Sequence, residues 1–423
     1  MLKPAQQADG SANPSPPAGA LAPFGYRAFR EAWLGNTASQ LGSQVQMIAA
    51  AWLMTELTTR HTLIAAVPAS TALPMLLLSV PAGALADNFD RRRIMLFGQW
   101  AMLVVSAVLA VLAYAGQLGP WSLLAFTLAV GAGMALVLPS WSASVRSQVD
   151  PPVFAQAISL NSISFNLARS LGPALGGLVL ATLGVAAAFA LNALSYIAMI
   201  VALVRWRPNL PPPRREPLMR SIRAGLVFCW SNEPMRRVQI RGAAFAFGAM
   251  ALQGLLPPVL RETLRGNEAE FGLLLGAFGV GSILGAFFTH RLRQAFGAEH
   301  VLALSALTSC CGLFGLALAP SVAVLLPLML LGGTGWTMCL ISLNVATQMR
   351  APPEILGRCM AIFQAVSMGA AAIGAWSWGL LADAASTSLA LYAAAAWLLV
   401  STLVLRVLVP LPARGEGVVF NPG

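Results

Sequence analysis

Between Arg93 and Arg146 the chain runs for 52 residues without a charged side chain or a histidine. An apolar stretch of about 20 residues already crosses the hydrocarbon core of a bilayer. This run is too long for one crossing, and Gly116-Gln117-Leu118-Gly119-Pro120 breaks it in two. The same reading applies along the chain. Ala32–Thr55 and Thr62–Ala86 are single spans, and Pro151–Val204 holds two, with a turn near Gly184 and one internal charge, Arg169. Gly242–Leu260 and Phe271–Thr289 are single, Val301–Met349 breaks near Ala319-Pro320-Ser321, and Cys359–Ala382 and Ala384–Leu405 complete the set. The pattern predicts an all-α membrane protein with twelve transmembrane helices, six in each half.

Composition excludes a soluble enzyme carrying a membrane tag. Charged residues are 10% of the chain, against about 25% in soluble proteins, and mean hydropathy is +0.73 over the whole length. The net charge of +11 resembles that of a nucleic-acid binder until the cations are located. One is Lys3, the rest are arginines, and nearly all lie in the short gaps between apolar runs. With the N-terminus inside, 22 of the 26 cations fall on one side and three, Arg60, Arg261 and Arg265, on the other. The positive-inside rule then puts both termini in the cytoplasm of a multi-pass inner-membrane protein. Its basic surface meets anionic headgroups and not nucleic acid.

Five units are expected: a disordered cytoplasmic tail at 1–24, a six-helix bundle at 25–206, a linker at 207–237, a second six-helix bundle at 238–410 and a tail at 411–423. The linker holds Leu210-Pro211-Pro212-Pro213 and a segment, Met219–Trp230, with apolar residues near helical spacing. It reads both as a tether and as a helix lying in the headgroup layer. The halves look related: Gly83 and Gly285, Pro151 and Pro353, Gly172 and Gly374, and Gly177 and Gly379 are each 202 residues apart. Duplicated six-span units with pseudo-symmetry are a recurrent transporter design. Cys229, Cys310, Cys311, Cys339 and Cys359 lack metal-ligand spacing and read as packing residues in a reducing compartment.

The loop after the second span reads Gly83-Ala-Leu-Ala-Asp87-Asn-Phe-Asp90-Arg91-Arg92-Arg93. It resembles the signature loop of the major facilitator superfamily at Gly83, Leu85, Ala86, Asp87, Arg91 and Arg92, and departs from it at Asn88 and Asp90. Gly83 is expected to allow close helix approach. Asp87 can accept from the N-terminus of a neighbouring helix, and Arg91 and Arg92 hold the loop on the cytoplasmic side. The resemblance implies a cytoplasmic latch for the outward-open state. The second-half copy has Thr289 where Asp87 stands. In span five, Ala168-Arg169-Ser-Leu-Gly172-Pro173-Ala-Leu-Gly176-Gly177 resembles the superfamily's antiporter signature, with Ala168 replacing a glycine. Such glycines permit close helix packing, Pro173 permits a bend, and the resemblance implies export. Residues 155–173 and span one, from Trp33 to Trp52, resemble the enterobactin-exporter-like and drug-efflux branch. Ser43 stands where that branch commonly has a carboxylate.

Arg169 falls near mid-membrane, where an arginine costs roughly 2.5–3.5 kcal/mol on insertion scales. Asn166 and Ser162 share its face, and Asn36, Gln40, Ser43 and Gln44 share a face in span one. With Asn161, Gln253 and Gln364 they are candidate linings of a central cavity; bonding between helices is the competing reading. Trp336, Asn344 and Trp376 are weaker candidates. No carboxylate lies in a span interior, so the titrating group of a proton antiporter is not evident. No nucleophile set, phosphate loop or metal cluster appears in the sequence, so neither enzyme activity nor a cofactor is expected. The expectation is a monomeric secondary transporter exporting an amphipathic small molecule, a siderophore or a drug, by alternating access and antiport. A lysophospholipid flippase on the same fold and a non-transporting sensor or scaffold are the alternatives.

Overall fold

The computed structural model describes residues 19–207, 218–318, 321–352 and 355–411. The described residues form helices without strands. In chain order these are α1 (Arg27–Leu57), α2 (His61–Asn88), α3 (Arg91–Tyr114), α4 (Pro120–Ser144) and α5 (Phe154–Arg205). After 208–217 come α6 (Leu218–Ser231), α7 (Glu233–Pro258), α8 (Glu268–Leu318), α9 (Val322–Arg350), α10 (Leu356–Ala384) and α11 (Thr387–Leu408). Among the described residues, nine of these helices are long and apolar enough to cross a membrane.

Two of the nine cannot be straight. α5 has 52 residues and α8 has 51, and a straight helix of that size would be about 75–80 Å long, over twice the hydrocarbon thickness. Each folds back at one glycine, Gly184 (φ 80°) and Gly297 (φ 81°), a backbone region that side chains with a Cβ avoid. α1 threads between the two limbs of α5. Its Trp33 Nε1 donates to the Leu160 carbonyl on one limb, and its Gly35 and Gly42 press on Met199, Ser195 and Asn192 of the other. α9 lies likewise between the limbs of α8, against Gly281 and Gly285 on one and Gly312 on the other. Where the chain re-enters a helix, local caps satisfy the first-turn N–H groups. Asp90 caps α3, Asn232 caps α7, Ser321 caps α9 and Ser386 caps α11.

α1 to α5 pack among themselves, as do α7 to α11, and the halves meet chiefly along α2–α10 and α5–α8. α6 rests on α7 and α10, with Gly225 against Arg358 and Ile362 and with Cys229 buried beside Cys359. Its Leu226, Val227 and Trp230 remain exposed. α7 begins at Glu233, inside the stretch assigned to the linker from the sequence. The cysteines are unpaired, four of them buried and Cys311 half-buried. The two tails, apart from residues 19–24 and Leu411, and the Pro-rich part of the linker lie outside the described residues.

Candidate functional site

Arg169 lies midway along the first limb of α5. Arg169 projects from α5 with its guanidinium carbon 5.5 Å from the Phe165 ring, one turn earlier, and 5.8 Å from the Trp336 ring on α9. Arg169 and Phe165 belong to the first half of the chain and Trp336 to the second. Arg169 forms no ion pair among the described residues. Two aromatic rings attract it instead, each worth about 0.5–2 kcal/mol depending on its exposure to water; Phe165 is exposed and Trp336 buried. Trp336 is buried and leans on Phe245 at 6.3 Å. Behind it lies a small void lined by Ala249, Leu252, Phe278, Ser309, Leu313 and Gly332.

The polar face of α1 divides. Ser43 donates to the Ser39 carbonyl (2.8 Å) and meets the Tyr196 hydroxyl at 3.2 Å. That hydroxyl begins a buried network in which Asn192 and Ser106 both donate to Gln46 Oε1, at 2.6 and 2.8 Å. Ser43 is thus bonded into the interior of the first half. Gln44 instead lays its Cβ and Cγ on Gly172, one turn from Arg169. Asn36 and Asn161 sit where α1 crosses α5, beside the Thr37–Ser164 hydroxyl pair (2.6 Å), and each keeps a buried amide atom without a protein partner. Gln40 is half-buried, as are Gln253 on α7 and Asn344 on α9, while Gln364 and Trp376 on α10 are exposed. Ser162 is exposed and donates to its own helix at the Ile158 carbonyl. The Asn166 side chain lies outside the described residues.

At the arginine-rich end, Arg91 donates to the carbonyls of Ala86 and Ala143, both at 3.1 Å. Arg92 donates to those of Leu203 (2.6 Å) and Val204 (3.0 Å). The pair ties the start of α3 to the ends of α2, α4 and α5. Asp90, a departure from the signature, is the α3 cap and accepts from Arg92 N at 2.9 Å. The close approach expected at Gly83 is not made: a Cβ there would meet nothing within 4 Å. Its counterpart Gly285 does press on the Thr334 backbone. The Asp87 side chain lies outside the described residues.

The glycines of span five work in two directions. Gly172 and Gly176 receive Gln44, Val45 and Ile48 of α1, within one half. Gly177 faces α8 and meets Gly272 backbone to backbone, so any side chain at either position would overlap the other helix. Pro173 stays helical; the one non-helical residue of α5 is Gly184.

Beyond this crossing the arginine-poor ends of the halves are joined by polar contacts. Asp383, at the end of α10, accepts from the backbone N–H of His61 (2.7 Å) and Thr62 (2.9 Å), and from the Thr62 hydroxyl. The His61 ring lies 2.9 Å from Asp383, 3.1 Å from Glu262 and 3.2 Å from the Thr387 hydroxyl. Trp52 donates to Glu268 (3.2 Å), and Arg261 donates to Thr55 (3.0 Å).

A family model described as transmembrane secretion effector matches residues 18–417. The chain belongs to this family of major facilitator transporters. Relatives include an enterobactin exporter of Shigella boydii, 28% identical over 69% of this chain and 70% of that one. The multidrug efflux pump Tap of Mycolicibacterium fortuitum is 25% identical over 81% of this chain and 86% of that one. A D-xylose–proton symporter of known structure shares the fold at 15% identity with a TM-score of 0.71, covering 93% of this chain and all of that one. The protein is therefore a membrane-embedded transporter of the siderophore- and drug-exporter branch, and not an enzyme.

The span boundaries leave His61 just before the second span and Asp383 between the last two, and nothing in them shows that the transporter brings the two residues together. One signal was present. An aspartate at a helix C-terminus is opposed by its own helix dipole, so Asp383 needed a partner from elsewhere in the fold. The buried Gln46–Ser106–Asn192 network was also missed, because polar residues scattered over three apolar runs carry no period.

Proposed function

We propose that this transporter exports an amphipathic, anionic small molecule across the cytoplasmic membrane by alternating access, with twelve spanning helices in two six-helix bundles. Counting the two limbs of α5 and of α8 separately, and adding α1, brings the nine apolar helices to twelve. The observation that carries the cargo reading is Arg169, midway along its limb of α5, beside rings from both halves and without a carboxylate partner among the described residues. A guanidinium so placed is five directed donors with no fixed acceptor among the described residues. A carboxylate or catecholate cargo supplies the acceptor, and Phe165 and Trp336 supply faces for its apolar part. The arginine imbalance supports placing the arginine-rich end in the cytoplasm.

The contacts between halves run from Leu76–Gly369 and Arg169–Trp336 out to His61–Asp383. Together with open space at Gly83, they support an inward-facing state, closed outside and open to the cytoplasm. The relatives' names support export of small molecules, and the Gly172-Pro173 motif supports antiport. The test is efflux from energised cells of two dyes matched in size, one carboxylate and one quaternary ammonium. Lower retention of the carboxylate dye in cells with the protein is expected. Accumulation of that dye would reverse the direction, and preferential loss of the ammonium dye would remove the anion reading.

A further inference from the structure

α2 and α10 run antiparallel across the boundary between the halves, and each carries an aspartate at its own C-terminal end, Asp87 and Asp383. The helix dipole disfavours an anion there and favours one at an N-terminus. Asp383 resolves the conflict by leaving its own helix. It accepts from two first-turn N–H groups of α2 and from the Thr62 hydroxyl. α2 needs this, because its N-cap residue is Arg60, which makes no side-chain capping bond. The cap that α3, α7, α9 and α11 each draw from their own chain neighbourhood is here supplied from the opposite half. His61 and its neighbours Glu262 and Thr387 extend the junction to the turn after α7 and to α11. At the other end, Ile355, the N-cap of α10, makes no side-chain capping bond, and Asp87 stands one residue before the end of α2.

We propose that Asp383 is a positioning residue for the transport cycle, a latch that holds the arginine-poor end shut by capping α2 across the halves, reciprocal to Asp87 at the opposite end. This rests on the alternating-access reading above. The two latches exclude each other. Leu76 and Gly369 touch midway between them, so a tilt about that contact that carries Asp87 towards Ile355 draws His61 and Thr62 away from Asp383. The gate is closed along a second edge by Trp52–Glu268 and Arg261–Thr55, which join α1 to the second half.

The test is hydrogen exchange, read peptide by peptide on the full chain in lipid nanodiscs, without cargo or gradient. Asp383→Ala should raise exchange about tenfold, the effect of losing a strong cap. The rise is expected in the first turn of α2 and also at residues 174–184 and 268–276, which do not touch Asp383. Exchange at residues 83–90 and 356–364 should fall as the other end closes. Asp383→Asn, which keeps a capping oxygen, and Thr62→Val should move the same peptides less, and they carry the test if the alanine variant does not fold. Asp87→Ala should move both ends the opposite way. A change confined to the first turn of α2 would assign Asp383 to local capping alone and overturn the latch. So would unchanged exchange in all the folded variants. Because no transport is measured, failure of the cargo or direction reading leaves this outcome unaffected.

Discussion

The Arg169 guanidinium meets two aromatic rings and, among the described residues, no carboxylate. Its central carbon lies 5.5 Å from the Phe165 ring centroid and 5.8 Å from that of Trp336; a lysine ammonium carries the charge without the flat face or the fork of donors. Arg169→Ala should therefore leave the melting temperature in detergent nearly unchanged while vesicle transport falls tenfold or more. Arg169→Lys should restore part of it. A large loss of stability in step with transport would make Arg169 structural. The opposite behaviour is expected at Asn192, whose amide donates to Gln46 and Tyr196 in a buried setting. Asn192→Leu takes one donor from each of the Gln46 and Tyr196 oxygens, which keep Ser106 and Ser43 as partners, and each lost hydrogen bond costs about 0.5–1.5 kcal/mol. Thermal unfolding should show that loss, with transport per folded molecule retained.

Between elements, the contact that joins α5 to α8 has no room for a side chain. Gly177 and Gly272 meet through their backbones, as small residues do wherever membrane helices cross closely. Gly177→Val should wedge the crossing open. An impermeant thiol reagent should then label a cysteine placed at Ala174, which packs beside Gly276, faster than in the parent background. Equal labelling would mean that the crossing does not close this end. At the other end, the hydrogen bonds that Arg91 and Arg92 donate to described residues go to backbone carbonyls of their own half. They can therefore keep these bonds while the halves move. Asp87→Asn is expected to lower export at equal membrane abundance; unchanged efflux would sink its role as a latch.

For the whole molecule, the distribution of arginine predicts the orientation in the membrane. A cysteine at Gln117, in the turn between α3 and α4, should react with an impermeant maleimide added to intact cells. One at Ser147, after α4, should react only once the membrane is opened. The reverse pattern would invert the proposed direction of transport. Much of this architecture was legible beforehand because a bilayer imposes its rules locally. Span lengths, the break at Gly184 and the side on which arginine collects are set by segments of 20 to 50 residues facing lipid or water, without reference to what they pack against. The tertiary structure alone decided that Trp336 of α9 would cover Arg169 of α5, that Ser43 would be bonded inside the first half while Gln44 stays beside Gly172, and that Asp383 would cap α2. Each of these depends on the angle at which two distant helices cross. That angle comes from the fit of many small side chains summed over both helices, and it leaves no spacing or period in either segment by itself.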